Sequence, residues 1–135
     1  MMSSNELATI AGRALPIKIL IFNNQGHAMC RQTQREWLGS EYPATSIEGG
    51  LTFPDFVKLG QAHGIPSFNI NINPVHYIQR MLESEGPCLL EATISPDADV
   101  VPKVKYGYPN EDGHPLLPLD EFHRQMIIPP LSRPL

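Results

Sequence analysis

The fold is decided by one stretch of the chain, Ile17-Lys18-Ile19-Leu20-Ile21-Phe22, which runs directly into Asn23-Asn24-Gln25-Gly26-His27-Ala28-Met29. Apart from Lys18, residues 17–22 are apolar at odd and even positions alike, which is typical of a parallel strand covered on both faces. The asparagine pair then falls at the carboxyl end of that strand, where open α/β sheets bind their ligands. Amide and backbone oxygens there suit a hard cation such as Mg²⁺, although Asn-Asn after a strand also forms ordinary turns.

The composition indicates a globular protein and argues against a nucleic-acid-binding or membrane-spanning one. A chain of 135 residues has room for one domain with a real core, and 41% hydrophobic with 18% charged residues is typical of a globular protein. The net charge of −4 and the lack of adjacent basic residues argue against nucleic-acid binding. No apolar span reaches 18 residues, and no basic segment precedes an apolar one at the amino terminus. The sequence therefore predicts a soluble cytoplasmic protein without a membrane segment.

Predicted helices and strands alternate along residues 1–95. This order predicts a parallel α/β sheet with flanking helices and right-handed connections. Ser3 and Glu6 have the spacing of a capping box, and Asp55 and Asn73 each stand where a helix would begin. The third helix, opened by Asn73-Pro74 and closed at Gly86-Pro87, is expected to bury Val75, Ile78 and Leu82. In chain order the predicted elements are a helix over 4–14, a strand over 17–22, a helix over 54–63, a strand over 65–72, the third helix and a strand over 88–94.

The character of the chain changes after residue 95. Eight of the 14 prolines fall within residues 96–134. Because proline removes a backbone donor and fixes φ, we expect an extended arm over residues 96–135 with at most one short helix near 120–126. The arm contains Tyr106, Tyr108 and Leu116, and is therefore expected to pack on its own domain or on a partner subunit.

Several stretches together resemble a known family. They are Asn5-Glu6-Leu7-Ala8-Thr9-Ile10, Leu15-Pro16-Ile17-Lys18-Ile19-Leu20, the segment Asn23 to Met29, Pro54-Asp55-Phe56-Val57-Lys58-Leu59, Ala62-His63-Gly64-Ile65 and Val101-Pro102-Lys103-Val104. This pattern is similar to the C-terminal, diphosphate-binding domain of thiamine-diphosphate enzymes, and most similar to the acetolactate synthase large-subunit group. The resemblance implies a transferase or lyase that decarboxylates and joins 2-oxo acids.

The resemblance also implies roles for individual residues. Asn24 would give its side-chain oxygen to Mg²⁺ and Gly26 its backbone carbonyl, while His27, Ala28 and Met29 would approach the diphosphate of thiamine diphosphate. Met29 would also border the substrate pocket, or else serve as an anchor that packs a helix on the sheet. Thr33 stands where acetolactate synthases usually have a tryptophan that shapes this pocket, and Trp37, one helical turn on, is expected to fill part of the space.

The family motif begins with Gly-Asp-Gly, which would fall just before Met1. The carboxylate ligand of the metal is therefore not among these 135 residues, and the family's pyrimidine-binding domain or subunit would be a partner. FAD is a further candidate cofactor of the full-length family member, which is expected to be a homo-oligomer. We expect the chain to be the diphosphate-binding part of such an enzyme and inactive alone. The alternative is a non-catalytic binding or interaction module that retains the fold.

Overall fold

The computed structural model describes residues 3–133, and it contains an α/β unit followed by a less regular C-terminal segment. The helices and strands of the described residues follow in chain order: α1 (Glu6–Gly12), β1 (Lys18–Asn23), α2 (Ala28–Trp37), α3 (Phe56–Ala62), β2 (Ser67–Asn69), α4 (Pro74–Glu83), β3 (Cys88–Thr93), β4 (Lys103–Val104), β5 (Gly113–His114) and α5 (Leu119–Gln125).

The main sheet has three parallel strands in the order β1-β3-β2, which confirms the predicted α/β class. Central strand β3 pairs with β1 over its whole length, so that Lys18 lies opposite Cys88 and Asn23 lies opposite Thr93. Because the strands are parallel, their carboxyl ends lie at one edge of the sheet. The segment that follows Asn23 leaves the sheet from that edge, where the sequence predicts a ligand site.

Two hydrophobic clusters cover the two faces of β3. Successive side chains of a strand point to opposite faces, so neighbours Leu89 and Leu90 belong to different clusters and are 1% and 0% exposed. Leu89 packs with Leu7 of α1 and Leu59 of α3. Leu90 packs in the cluster that includes Met81 of α4. The sheet is therefore buried on both faces at central strand β3.

For β1, the prediction of a strand covered on both faces is wrong, because Leu20 and Phe22 on one face are 38% and 64% exposed. The reason is that β1 is an edge strand of which only the face with Ile19 and Ile21 packs in a cluster.

Helix α4 turns a different face to the core from the one predicted. Asn73 is its N-cap, as predicted, and its side chain accepts from the His76 N–H at 3.3 Å. Of the predicted core face, Val75 and Leu82 are 66% and 68% exposed. The residues that do face the sheet are Tyr77, Ile78 and Met81. The reason is that the Tyr77 ring stacks on Phe68, with ring centroids 5.3 Å apart, and this contact sets the rotation of the helix.

Three further local predictions differ from the structure. The capping box at Ser3 and Glu6 is wrong, because α1 begins after Asn5 and has no side-chain cap. Strand β2 is shorter than predicted, because the Asn71 side chain accepts from the Thr93 N–H and donates to the Thr93 carbonyl in place of a continued strand. Asp55 caps α3 through the Lys58 N–H at 2.9 Å, but Pro54 precedes the cap and does not lie in the first turn.

The C-terminal segment, residues 96–133, packs against α2 and against itself. The Gln32 amide makes hydrogen bonds of 3.1 Å to both the N–H and the carbonyl of Val100. The Lys103 ammonium lies 3.3 Å from the Glu36 carboxylate. The predicted helix near 120–126 is confirmed as α5, and β4 and β5 form an antiparallel pair that was not predicted. Within residues 3–133, no helix has the length and apolar character needed to cross a membrane.

Candidate functional site

The turn after β1 is built by its own asparagine side chains. Asn23 Oδ1 accepts from the Gln25 N–H at 3.0 Å, and Asn24 Oδ1 accepts from the Gly26 N–H at a longer 3.3 Å. Asparagine commonly closes such turns with its own backbone two residues on. Gln25 has a φ of 54°, a left-handed conformation that costs free energy in a residue other than glycine. The backbone is therefore held in one specific shape at the carboxyl edge of the sheet.

Gly26 is required here for close approach. The loop backbone pairs with residues 45 and 46, with a hydrogen bond of 3.0 Å from the His27 N–H to the Thr45 carbonyl. A Cβ on Gly26 would lie only 2.6 Å from that carbonyl oxygen. Among residues 3–133, no hydrogen bond engages the Gly26 carbonyl, which leaves it available to a ligand.

The first turn of α2 exposes unpaired backbone donors. The first N–H of this helix with a backbone partner is that of Arg31, which donates to the carbonyl of N-cap residue His27 at 2.9 Å. The N–H groups of Ala28, Met29 and Cys30 have no partner in the described part of the chain. N-cap His27 makes no side-chain cap, and the first turn holds no acidic residue. Uncapped donors at the positive end of a helix dipole suit an anion.

Met29 and Thr33 lie one turn apart on α2. The Thr33 hydroxyl donates to the Met29 carbonyl at 3.0 Å and accepts from the Lys103 ammonium at 3.1 Å. Met29 is 63% exposed, so the interpretation of Met29 as an anchor on the sheet is wrong. The Lys103 ammonium also lies 5.1 Å from the centre of the Trp37 ring, so it neighbours both the Thr33 hydroxyl and the indole. The structure therefore places a hydroxyl beside a cation at this point of α2. That Trp37 fills part of the pocket stays a prediction.

A cleft of about 440 Å³ adjoins the turn on one side. Its walls include Asn23 and Gln25 from the turn and residues 47 and 51–55 from the loop before α3. None of the five predicted cofactor residues, 24 and 26–29, lines it. The described residues bring no three His, Cys, Asp or Glu side chains together in a metal-binding group. The oxygens offered by Asn24 and Gly26 are thus neutral ones.

Sequence reasoning missed Arg31, which lies in the first turn of α2. Its Nε and Nη2 atoms are buried and have no hydrogen-bond partner within residues 3–133. The signal in the sequence is a cation two residues after the segment Asn23 to Met29, where a helix that began at this segment would have its dipole opposed by positive charge. Helix α2 itself was not among the predicted elements. Nearby Glu48 has a lowered pKa, first because its carboxylate accepts from its own backbone N–H, then because of the Ser46 hydroxyl, and last because of the Arg31 charge.

The comparisons with known proteins agree with this arrangement. The family described as "Thiamine pyrophosphate enzyme, C-terminal TPP binding domain" matches residues 1–92. The chain therefore belongs to this family of thiamine-pyrophosphate-binding domains, as the resemblance predicted.

Its similar relatives are acetolactate synthases. The large subunit of Pyropia yezoensis is 37% identical over 111 residues, which is 81% of this chain and 18% of the relative. The isozyme 2 large subunit of Escherichia coli K12 is 33% identical over 114 residues, which is 83% of this chain and 20% of the relative. The chain thus spans about a fifth of the length of the curated relatives that it matches. The roles of individual residues, the metal and the further cofactors remain predictions.

Proposed function

We propose that this chain forms the diphosphate-binding part of a thiamine-diphosphate-dependent enzyme of the acetolactate synthase type. The observation that carries the proposal is the group of three unpaired N–H donors, from Ala28, Met29 and Cys30, directly after a turn that offers neutral oxygens. Backbone donors of this kind bind phosphate oxygens, and Mg²⁺ binds through few protein ligands together with phosphate oxygens.

The described residues fit both the metal and the diphosphate. The contact between Asn24 Oδ1 and the Gly26 N–H is long at 3.3 Å, and a carbonyl oxygen has a second lone pair for a cation. The Gly26 carbonyl supplies the second oxygen, and Ala28 and Met29 donate to the diphosphate. When bound, thiamine diphosphate supplies the carbanion chemistry, while the protein binds and orients it.

The substrate-facing side of α2 is proposed to begin at Met29 and Thr33. The Thr33 hydroxyl, held by Lys103, makes this side more polar than a tryptophan would. We therefore propose a 2-oxo acid as substrate and a pocket whose second-substrate preference differs from that of the relatives. The pyrimidine-binding domain or subunit, a homo-oligomeric full-length form, FAD and a cytoplasmic location belong to the same proposal.

Calorimetry on the 135-residue chain with thiamine diphosphate and Mg²⁺ tests binding. Asn24→Ala should abolish the Mg²⁺-dependent part of the heat, whereas the control Asn110→Ala, at an exposed residue far along the chain, should not. Because both protein ligands are neutral, affinity should be about ten- to a hundredfold below that of a site with a carboxylate ligand. Sub-micromolar binding by the 135-residue chain, or Mg²⁺-dependent heat that survives Asn24→Ala, would contradict the proposed ligand set.

A chimaera tests catalysis. In it, this chain replaces the matching segment of the Escherichia coli isozyme 2 large subunit. The proposal predicts turnover of a 2-oxo acid that Asn24→Ala removes and Asn110→Ala retains. A folded chimaera that binds thiamine diphosphate and turns over no 2-oxo acid would favour the non-catalytic binding module.

A further inference from the structure

One edge of the Arg31 guanidinium makes no hydrogen bond within residues 3–133. Its Nε and Nη2 atoms, which lie on the same side of the group, are buried and unpartnered within residues 3–133. Arg133 shows what this edge does elsewhere in the molecule: its Nε and Nη2 hold the two oxygens of Asp112 at 2.6 and 3.0 Å. An edge suited to a carboxylate or phosphate is thus left without a counterion at Arg31.

Two independent effects raise the free energy of this buried charge. A buried donor without a partner loses its hydration and gains nothing in return, and the loss is larger when the donor is charged. A cation in the first turn of a helix also opposes the helix dipole. An anion bound at the start of α2 would offset the electrostatic part of both costs. Within residues 3–133, no hydrogen-bond acceptor pairs with Nε or Nη2.

The position of Arg31 connects it to the turn after β1. Its Cζ and Nε atoms lie 3.4 Å from the place where a Gly26 side chain would begin. The carboxylate of Glu48 feels the Arg31 charge only weakly, since its own backbone and Ser46 contribute more to its lowered pKa. Glu48 therefore offsets the guanidinium charge only in part, and it makes no hydrogen bond to Nε or Nη2.

We propose that Arg31 is a positioning residue for an oxyanion at the start of α2. Its charge, which no hydrogen-bond acceptor pairs within residues 3–133, acts across Gly26 without touching the ligand. It raises the affinity of the Ala28, Met29 and Cys30 N–H groups for a diphosphate. This inference rests on the proposed function, because it needs an anion at those three groups. It adds a side-chain charge to a site otherwise made of backbone donors.

Inorganic pyrophosphate is the probe for this inference. Its affinity for the ¹⁵N-labelled chain is measured from the amide shifts of residues 28–30. Because a unit charge roughly 10 Å from an anion acts through an effective dielectric of about 20, Arg31→Gln should weaken binding on the order of tenfold. Arg31→Lys should restore most of the affinity, and Glu48→Gln should increase it. The control Arg124→Gln, at an exposed residue of α5, should leave it unchanged.

The outcomes separate this inference from the proposed function. If pyrophosphate does not shift residues 28–30 of the wild-type chain, the proposed function fails and the inference falls with it. If the wild type binds and Arg31→Gln binds equally well, only the inference is overturned. A purely structural Arg31 would instead show lower stability in Arg31→Gln, unchanged affinity, and no increase with Glu48→Gln. Arg31→Met, which removes the buried polar atoms, gives a second neutral variant that should fold and bind as weakly as Arg31→Gln.

Discussion

The Asn23 amide donates to the Glu91 carboxylate at 2.7 Å, and this bond joins the last residue of β1 to the central strand β3. Glu91 is only 8% exposed, so its carboxylate oxygens need hydrogen-bond donors inside the protein. Asn23 also starts the turn that carries the candidate site, since its Oδ1 accepts from the Gln25 N–H. One side chain thus links the sheet to the turn.

Asn23→Ala should lower the free energy of unfolding by about 1–3 kcal/mol, because it leaves a buried carboxylate without its donor. Urea denaturation followed by circular dichroism measures the change. The control Asn110→Ala should stay within about 0.5 kcal/mol of the wild type. An Asn23→Ala variant as stable as the wild type would show that water or another group satisfies Glu91.

Gly26→Ala should disturb the candidate site directly. The new Cβ would lie 2.6 Å from the Thr45 carbonyl, so the loop must shift, at a cost of about 1–3 kcal/mol. Pyrophosphate-induced shifts at residues 28–30 should weaken in parallel. Gly12→Ala is the matched control, because nothing lies within 4 Å of its Cβ position and alanine favours the helix. Unchanged pyrophosphate binding in Gly26→Ala would contradict the close approach described here.

The cap at Asp55 should make stability depend on pH. Its pKa is lowered, first because its carboxylate accepts from the Lys58 backbone N–H. A carboxyl whose folded pKa lies below its unfolded pKa stabilises the protein above the unfolded value, and this contribution disappears as pH falls through the folded value. The stability difference between wild type and Asp55→Ala should therefore be present at pH 7 and shrink at pH 3. A difference that is the same at both pH values would show that the cap does not act through the charge.

Much of the fold could be predicted from the sequence, because its signals are local. Continuous apolar residues around Ile19 predict a parallel strand, and the structure has one there, although only its face with Ile19 and Ile21 packs in the core. Asp55 and Asn73 are the caps that their positions indicate. Strand β2 ends early because Asn71 bonds to Thr93, more than 20 residues away, and no local pattern predicts that contact.

The candidate site could be predicted only in part. The segment from Asn24 to Met29 is recognisable because it is contiguous. The burial of Arg31 Nε and Nη2 without a partner is a property of tertiary packing, which no local pattern predicts. The polar contact of Thr33 likewise depends on Lys103, 70 residues later.

We propose that a divalent cation and a diphosphate meet at the turn after β1. The most direct measurement replaces Mg²⁺ by Mn²⁺ in the ¹⁵N-labelled chain with thiamine diphosphate, and records which amide signals broaden. Broadening should be strongest at residues 24–29 and should be lost in Asn24→Ala. Broadening centred on the acidic residues 111–121, with residues 24–29 unaffected, would contradict it.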